Sequence, residues 1–248
     1  MNSYLGAISK FLFVGIHYCG ISLHHINNSN QLQVFVLACR AYDLNNQTSP
    51  SIRKFVNSIL EEFGLRLDSS SFIVSDNENK MKSTFNDVNC IGCSVHYMNK
   101  PMEKTFTDAK NIDLKQAQEL FSQVRELVEH VRRCHKQNKL SKKLQIYSKT
   151  RFNEAFHMFN IFNEIFDEIP HTLSTNFLLT YSLINQKFLQ DICNFISTFD
   201  EVIEKLSVDT RPTLHLVVPL RQHLIDHCST FDDEDDNLVH IKKFISTY

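Results

Sequence analysis

The spacing of apolar residues changes once along this chain, near residue 95, and that change constrains the fold more than any other feature. Beyond it, Ala117, Leu120, Phe121, Val124, Leu127, Val128, Val131 and Cys134 recur at the three- and four-residue intervals of one helix face. Phe152, Ala155, Phe156, Phe159, Phe162, Ile165, Phe166 and Ile169 form a second stripe, closed by Pro170. Phe188, Leu189, Ile192, Phe195, Ile196, Phe199, Val202, Ile203 and Leu206 form a third. Leu214–Cys228 and Leu238–Ile245 predict two more helices. Stripes of this kind are the inner faces of a helical bundle.

Before residue 95 the pattern is of strands. Gly15–Ile26 ends at the polar turn Asn27–Asn30, and Gln31–Tyr42 thickens into VFVLAC, which predicts a hairpin whose second strand is buried on both faces. Thr48-Ser-Pro50 reads as a helix start, with Ser49 as N-cap and Pro50 in the first turn. Ile52, Phe55, Val56, Ile59, Leu60 and Phe63 then keep helical spacing up to the stop at Gly64. Short strands are expected at Ser71–Ser75 and Asn89–Cys93, with a helix at Met81–Phe85 between them. The fold class is therefore α+β: a mixed sheet with helical cover in residues 1–110, then a helical domain in 111–248.

Only ten of the 248 residues are Gly or Pro and 42% are hydrophobic, which excludes disorder and collagen-like repeats. The longest candidate leader core, Phe11–Ile16, is six apolar residues followed by His17, and no run approaches the roughly 18 needed to span a bilayer. Seven cysteines without a secretory signal point to a reducing compartment, the cytosol or nucleus. The net charge of −2 conceals strong local bias. Residues 1–42 contain no Asp or Glu, residues 232–236 are all acidic, and residues 125–151 hold nine Lys and Arg against Glu126 and Glu129.

Asp76 is the carboxylate of most interest, because it ends an apolar strand where a sheet opens, a place where divalent-metal or phosphate chemistry is often built. Its plainer role is to cap the helix that follows. Cys90, Cys93 and His96 have spacing that suits zinc, but no second pair completes a tetrahedral site, so buried thiols beside a polar His are the expected arrangement. His24 and His25 lie on a strand and point to opposite faces, which makes them poor joint ligands. The stretch Arg132–Arg151 offers the positive charge that phosphate binding needs, although a solvated helix end carries such charge too.

Three segments in order, FIVSDNENKM (72–81), CIGCSVHYMNKPMEKTF (90–106) and YSKTRFNEAFHMFNIF (147–162), resemble the hAT superfamily of DNA transposases, the hobo–Activator group. The family pattern is a strand ending in T/S-D-N-x-x-N-M, then C-x-x-H, then T-R-W-N before an apolar helix. Here Lys80 replaces the second Asn and Phe152 the Trp. The hairpin 23–43 resembles the family's strand pair, so the likeness covers about residues 16–225.

The resemblance implies an RNase-H-like sheet interrupted by a helical insertion. Two Asp and one Glu would hold two Mg2+ or Mn2+ ions that activate a hydroxyl and stabilise the leaving oxygen of a DNA phosphate. Asp76 matches the second Asp and would be the metal ligand, and His96 matches the His beside the active site. Arg151 and Phe152 match the DNA-handling T-R-W element, with Arg132, Arg133, Lys136, Lys142 and Lys143 as further DNA contacts. The departures are as informative. The strand expected to carry the first Asp lies before Gly15, where there is no acidic residue, and Asp43 falls after the hairpin. Glu234 stands in an acidic run and is not assigned the Glu. The expectation is a truncated, transposase-derived nuclear protein without productive metal binding, which binds DNA in a salt-sensitive way. A second copy or an intact transposase are its further expected partners. The alternative is a cytoplasmic or nuclear assembly module that works through its helical region.

Overall fold

The computed structural model describes residues 4–13, 16–29, 31–42, 46–76, 78–147, 153–208 and 210–248. It divides into two compact units, residues 1–97 with 207–215, and residues 98–206 with 216–248. No described helix is long and apolar enough to cross a membrane. The chain is α+β, with its strands confined to the first unit.

The sheet begins as a meander. Strands β1 (Tyr4–Phe13), β2 (Ile16–Ile26) and β3 (Leu32–Ala41) pair antiparallel in sequence order. The β2–β3 turn is closed by Asn27, whose side-chain oxygen accepts from the backbone N–H of Ser29 (3.0 Å) and Gln31 (2.9 Å), a turn this residue type favours. The chain then crosses over through α1 (Ser49–Glu62) and adds β4 (Phe72–Ser75) parallel to β1 on the other side of the meander. After α2 (Asn79–Thr84), β5 (Asn89–Gly92) pairs parallel to β4, giving the order β3-β2-β1-β4-β5.

Side chains from β2, β3 and β4 pack together on one face of the sheet. Cys19 and Ile21, two apart on β2, lie with Ala38 of β3 and Ile73 of β4 against Ile52, Val56, Ile59 and Leu60 of α1. The chain turns off the end of α1 at Gly64, whose φ of 66° permits two closing bonds, Gly64 N–H to the Glu61 carbonyl and Leu65 N–H to the Leu60 carbonyl.

Three expectations need correction here. The VFVLAC run is not buried on both faces: β3 is the sheet edge, and Val36 is 76% exposed beside exposed Phe35. A continuous apolar run does not reveal how many neighbours a strand will have. The N-cap of α1 is Thr48, and Ser49 is already helical. Phe63 falls one residue past the helix, where the chain turns, and is exposed.

The second unit is a helical assembly around one apolar core. It comprises most of α3 (Ser94–Thr107), then α4 (Lys115–Arg133), α5 (Asn153–Glu164), α6 (Thr175–Ser182) and α7 (Gln186–Leu206), most of α8 (Leu214–His227), and α9 (Asp236–Ser246). The α4 stripe is buried from Ala117 to Val131, and the α7 stripe from Phe188 to Ile203. Phe106, Phe121 and Phe159 meet at the centre with ring centroids 5.5–5.8 Å apart, each ring worth roughly 1.5–3 kcal/mol of burial. Cys134 departs from its stripe: the backbone leaves α4 at that residue and the thiol is exposed. Within α8 only Leu224 is buried.

Candidate functional site

The carboxyl end of β4 gathers chemistry from three segments. Register places it: Ile8 of β1 pairs with Ser75, and Gly92 of β5 pairs with Ser75 from the other side. Asp76 and Cys93 each follow the last paired residue of their strand, Ser75 and Gly92. The Cys93 N–H donates to the Ser75 carbonyl (2.7 Å), and the Ser75 hydroxyl donates to the Asp76 carbonyl (2.9 Å), so the end of the strand is tied down. Asp76 is half-buried, with one carboxylate oxygen shielded from solvent and lacking a hydrogen-bond partner. It does not cap α2, whose N-cap is Glu78.

Cys93 immediately precedes α3, and the Tyr97 N–H closes the first turn onto its carbonyl (3.0 Å). Burial works to raise the Cys93 thiol, but several interactions outweigh it and hold the thiol below its ordinary value. These are a hydrogen bond with the His96 imidazole, bonds from the backbone N–H groups of His96 and Val95, and the charge on His96. His96 is exposed and moves the opposite way, raised chiefly by the Cys93 hydrogen bond and further by the charges of Cys93 and Asp76, against a smaller effect of burial. His96 is thus the group that feels the charges of both Cys93 and Asp76. Cys90 lies nearby, its sulfur 3.7 Å from the Ser75 hydroxyl.

The arrangement does not fit the metals that the family resemblance implies. A hard divalent cation needs several oxygen ligands, and β1, the strand beside Asp76, reads YLGAISKFLF, without an acidic residue. Among the described residues no three His, Cys, Asp or Glu side chains converge to hold a metal ion. Glu234 is engaged elsewhere, in an ion pair with the buried Lys242, while Asp235 caps α9 through the Asn237 N–H (2.9 Å).

The basic stretch is a separate feature, in the second unit. Arg132 and Arg133 end α4, and Lys136–Lys139 form a short 3-10 turn after the left-handed His135 (φ 53°). Arg133 and Arg125 both pair with Glu129 (2.7 and 2.8 Å), and Lys142 pairs with Glu164 (2.6 Å). Arg132 donates to the Leu144 carbonyl (2.9 Å) and Lys136 to the Thr172 carbonyl (2.8 Å), bonds that leave their charge uncompensated. Lys139 and Lys143 are exposed. Among the described residues none of Arg132, Lys136, Lys139 and Lys143 is in a salt bridge. Arg151, Phe152 and Asp43 lie outside the described residues.

What sequence reasoning missed is the sorting of these cations. The Glu129 pairs were open to i,i+4 reading. The Glu164 and Thr172 contacts join distant segments and leave no local signal.

No protein-family model matches the chain. It is similar to the Hobo transposase of a transposable element from Drosophila melanogaster, 18% identical over 216 residues, which is 87% of this chain and 32% of that protein. The chain thus spans about a third of the length of that relative, and the likeness relates it distantly to a transposase.

Proposed function

We propose that this chain derives from the catalytic region of a hAT-type transposase, with an RNase-H-like sheet and a following helical region, and that it binds DNA without cutting it. The observation that carries this reading is the end of β4. The sheet order β3-β2-β1-β4-β5, antiparallel in its first three strands and parallel in the last two pairings, supports reading Asp76, just past the end of β4, as a sheet-end carboxylate of the kind that meets a phosphate. Strand β1, which pairs with β4 through Ile8 and Ser75, brings no carboxylate. One carboxylate cannot position a pair of metal ions, and the several kcal/mol of charge stabilisation they supply is lost with them. DNA binding is supported by the four uncompensated cations of residues 132–143, and a role on DNA implies work in the nucleus. A second copy of the chain or an intact transposase are the protein partners this origin suggests.

The test incubates the pure chain with labelled duplex DNA and Mg2+ or Mn2+. The expected result is no nicking above that of Asp76→Ala. Metal-dependent nicking that Asp76→Ala abolishes overturns the inactive reading. The alternative, an assembly module, draws on α6, where Leu179 is 69% exposed and Leu183, just past its end, is 70% exposed. Association through such a surface would hold as salt rises, whereas phosphate binding would weaken steeply.

A further inference from the structure

We propose that Glu168 is a positioning residue for the basic stretch: by clamping Ser141 it fixes the exposed segment between Lys139 and Lys143 in a shape that meets a DNA backbone, so that removing this negative charge weakens DNA binding. This role rests on the DNA reading and deepens it, naming what shapes the contact surface.

The clamp has two bonds. The Ser141 N–H donates to Oε2 of Glu168 (2.7 Å) and the Ser141 hydroxyl to Oε1 (2.5 Å), so both carboxylate oxygens are spent on one neighbour. Among the described residues no Lys or Arg is in a salt bridge with Glu168, although Lys142 and Lys143 follow Ser141 directly. The same bonds, the hydroxyl first and the N–H second, hold the carboxyl below its ordinary value, so it is charged at neutral pH and both bonds are charge-assisted.

The carboxylate sits on a fixed arm. Glu168 belongs to the 3-10 segment Phe166–Thr172; its N–H bonds the Ile165 carbonyl (2.9 Å), and Phe166 and Ile169 are buried to either side of it. The clamped segment has little order of its own. Leu140 and Leu144 anchor it in the helical core, and Ser141, Lys142 and Lys143 between them are exposed. Among the described residues no backbone-to-backbone hydrogen bond involves residues 141–146. Side chains hold them instead: Arg132 on the Leu144 carbonyl, the exposed Lys142–Glu164 pair, which contributes little, and the Ser141–Glu168 clamp.

Charge and shape therefore make opposite demands on Glu168. By charge alone, a carboxylate among four uncompensated cations opposes a phosphate ligand, and its loss would tighten binding. By shape, its loss leaves DNA to order the segment itself, and fixing the backbone of a single residue again costs about fivefold in affinity or more. The uncharged bonding of both oxygens is what decides for shape.

The experiment follows binding of a labelled duplex by fluorescence anisotropy at low and high salt, with the unmodified full chain, Glu168→Ala, Ser141→Ala and Ser141→Thr. Glu168→Ala is expected to bind about fivefold more weakly at both salt concentrations, with the salt slope unchanged because the same cations meet the phosphates. Ser141→Ala keeps the N–H bond and loses the hydroxyl bond, and is expected to lose about threefold; Ser141→Thr keeps both and should match the unmodified chain. Unchanged or tighter binding by Glu168→Ala overturns the proposal. If Glu168→Ala does not fold, Ser141→Ala decides, since it alters one exposed side chain, and undiminished binding there overturns the proposal equally. If the unmodified chain shows no binding even at low salt, the DNA reading itself falls and this role with it, whereas binding that the variants leave intact removes this role alone.

Discussion

The salt dependence of DNA binding follows from how the basic stretch is wired. Six cations lie between Arg132 and Lys143, and their arrangement divides them. Arg133 and Lys142 are matched by Glu129 and Glu164. Among the described residues Arg132 and Lys136 bond neutral carbonyls, and Lys139 and Lys143 are exposed, so four full charges remain to displace counterions. With a slope of about −0.9 per phosphate neutralised, the logarithm of the affinity should fall against that of salt concentration with a slope of about −3.6, an affinity loss of roughly 150-fold between 50 and 200 mM. Lys139→Gln with Lys143→Gln halves the count and should reduce the slope to about −1.8, a loss of roughly 12-fold over the same range. Fluorescence anisotropy of a labelled duplex at five salt concentrations measures both. A slope near −5.4 would mean that the glutamate pairs open on binding, and a slope the double variant leaves unchanged would mean that these lysines do not face DNA; either result refutes the reasoning.

Phe159→Ala, which empties a fully buried position touching Phe106 and Phe121, is expected to cost about 3–5 kcal/mol in a urea melt, and a loss under 1 kcal/mol would contradict the packing described. Gly64→Ala meets no steric neighbour but keeps a left-handed backbone, so it should cost about 1–2 kcal/mol of strain, read by the same melt. Glu129 is held below its ordinary 4.5, first by the Arg125 hydrogen bond and further by Arg133. A carboxyl lowered on folding contributes stability above its unfolded value and loses it as pH falls through the folded one. Glu129→Gln should therefore cost under about 1 kcal/mol at pH 7, since the pairs are part-exposed, and the difference from the unmodified chain should narrow as the pH drops below 4.5.

How much of this was legible depended on range. The helical stripes were readable because their period is local: Val124, Leu127, Val128 and Val131 are all fully buried, as their spacing requires. The stop at Gly64 was readable for the same reason, since only a residue without a side chain takes φ 66° at no steric cost. The strand at Tyr4–Phe13 carries no alternation that identifies it, and was expected only through the family likeness. The fate of VFVLAC depended on where the chain went next: it crossed to the far side of the meander and left β3 as an edge. At the candidate site, residues 76, 93 and 96 stood out by type. That Cys93 N–H reaches the carbonyl of Ser75, next to Asp76, is a property of parallel pairing between strands separated by a helix, which no local pattern encodes.

The first three strands meet their neighbours across short connections, whereas Ile8 finds Ser75 only after the whole crossover has been drawn in. Closing that span costs about 2 kcal/mol more in chain entropy than closing a hairpin turn of about five residues. The pairing of β4 with the meander therefore carries a larger entropic cost than the meander's own turns. The surroundings of Asp76 thus depend on a long-range pairing that no local segment can supply.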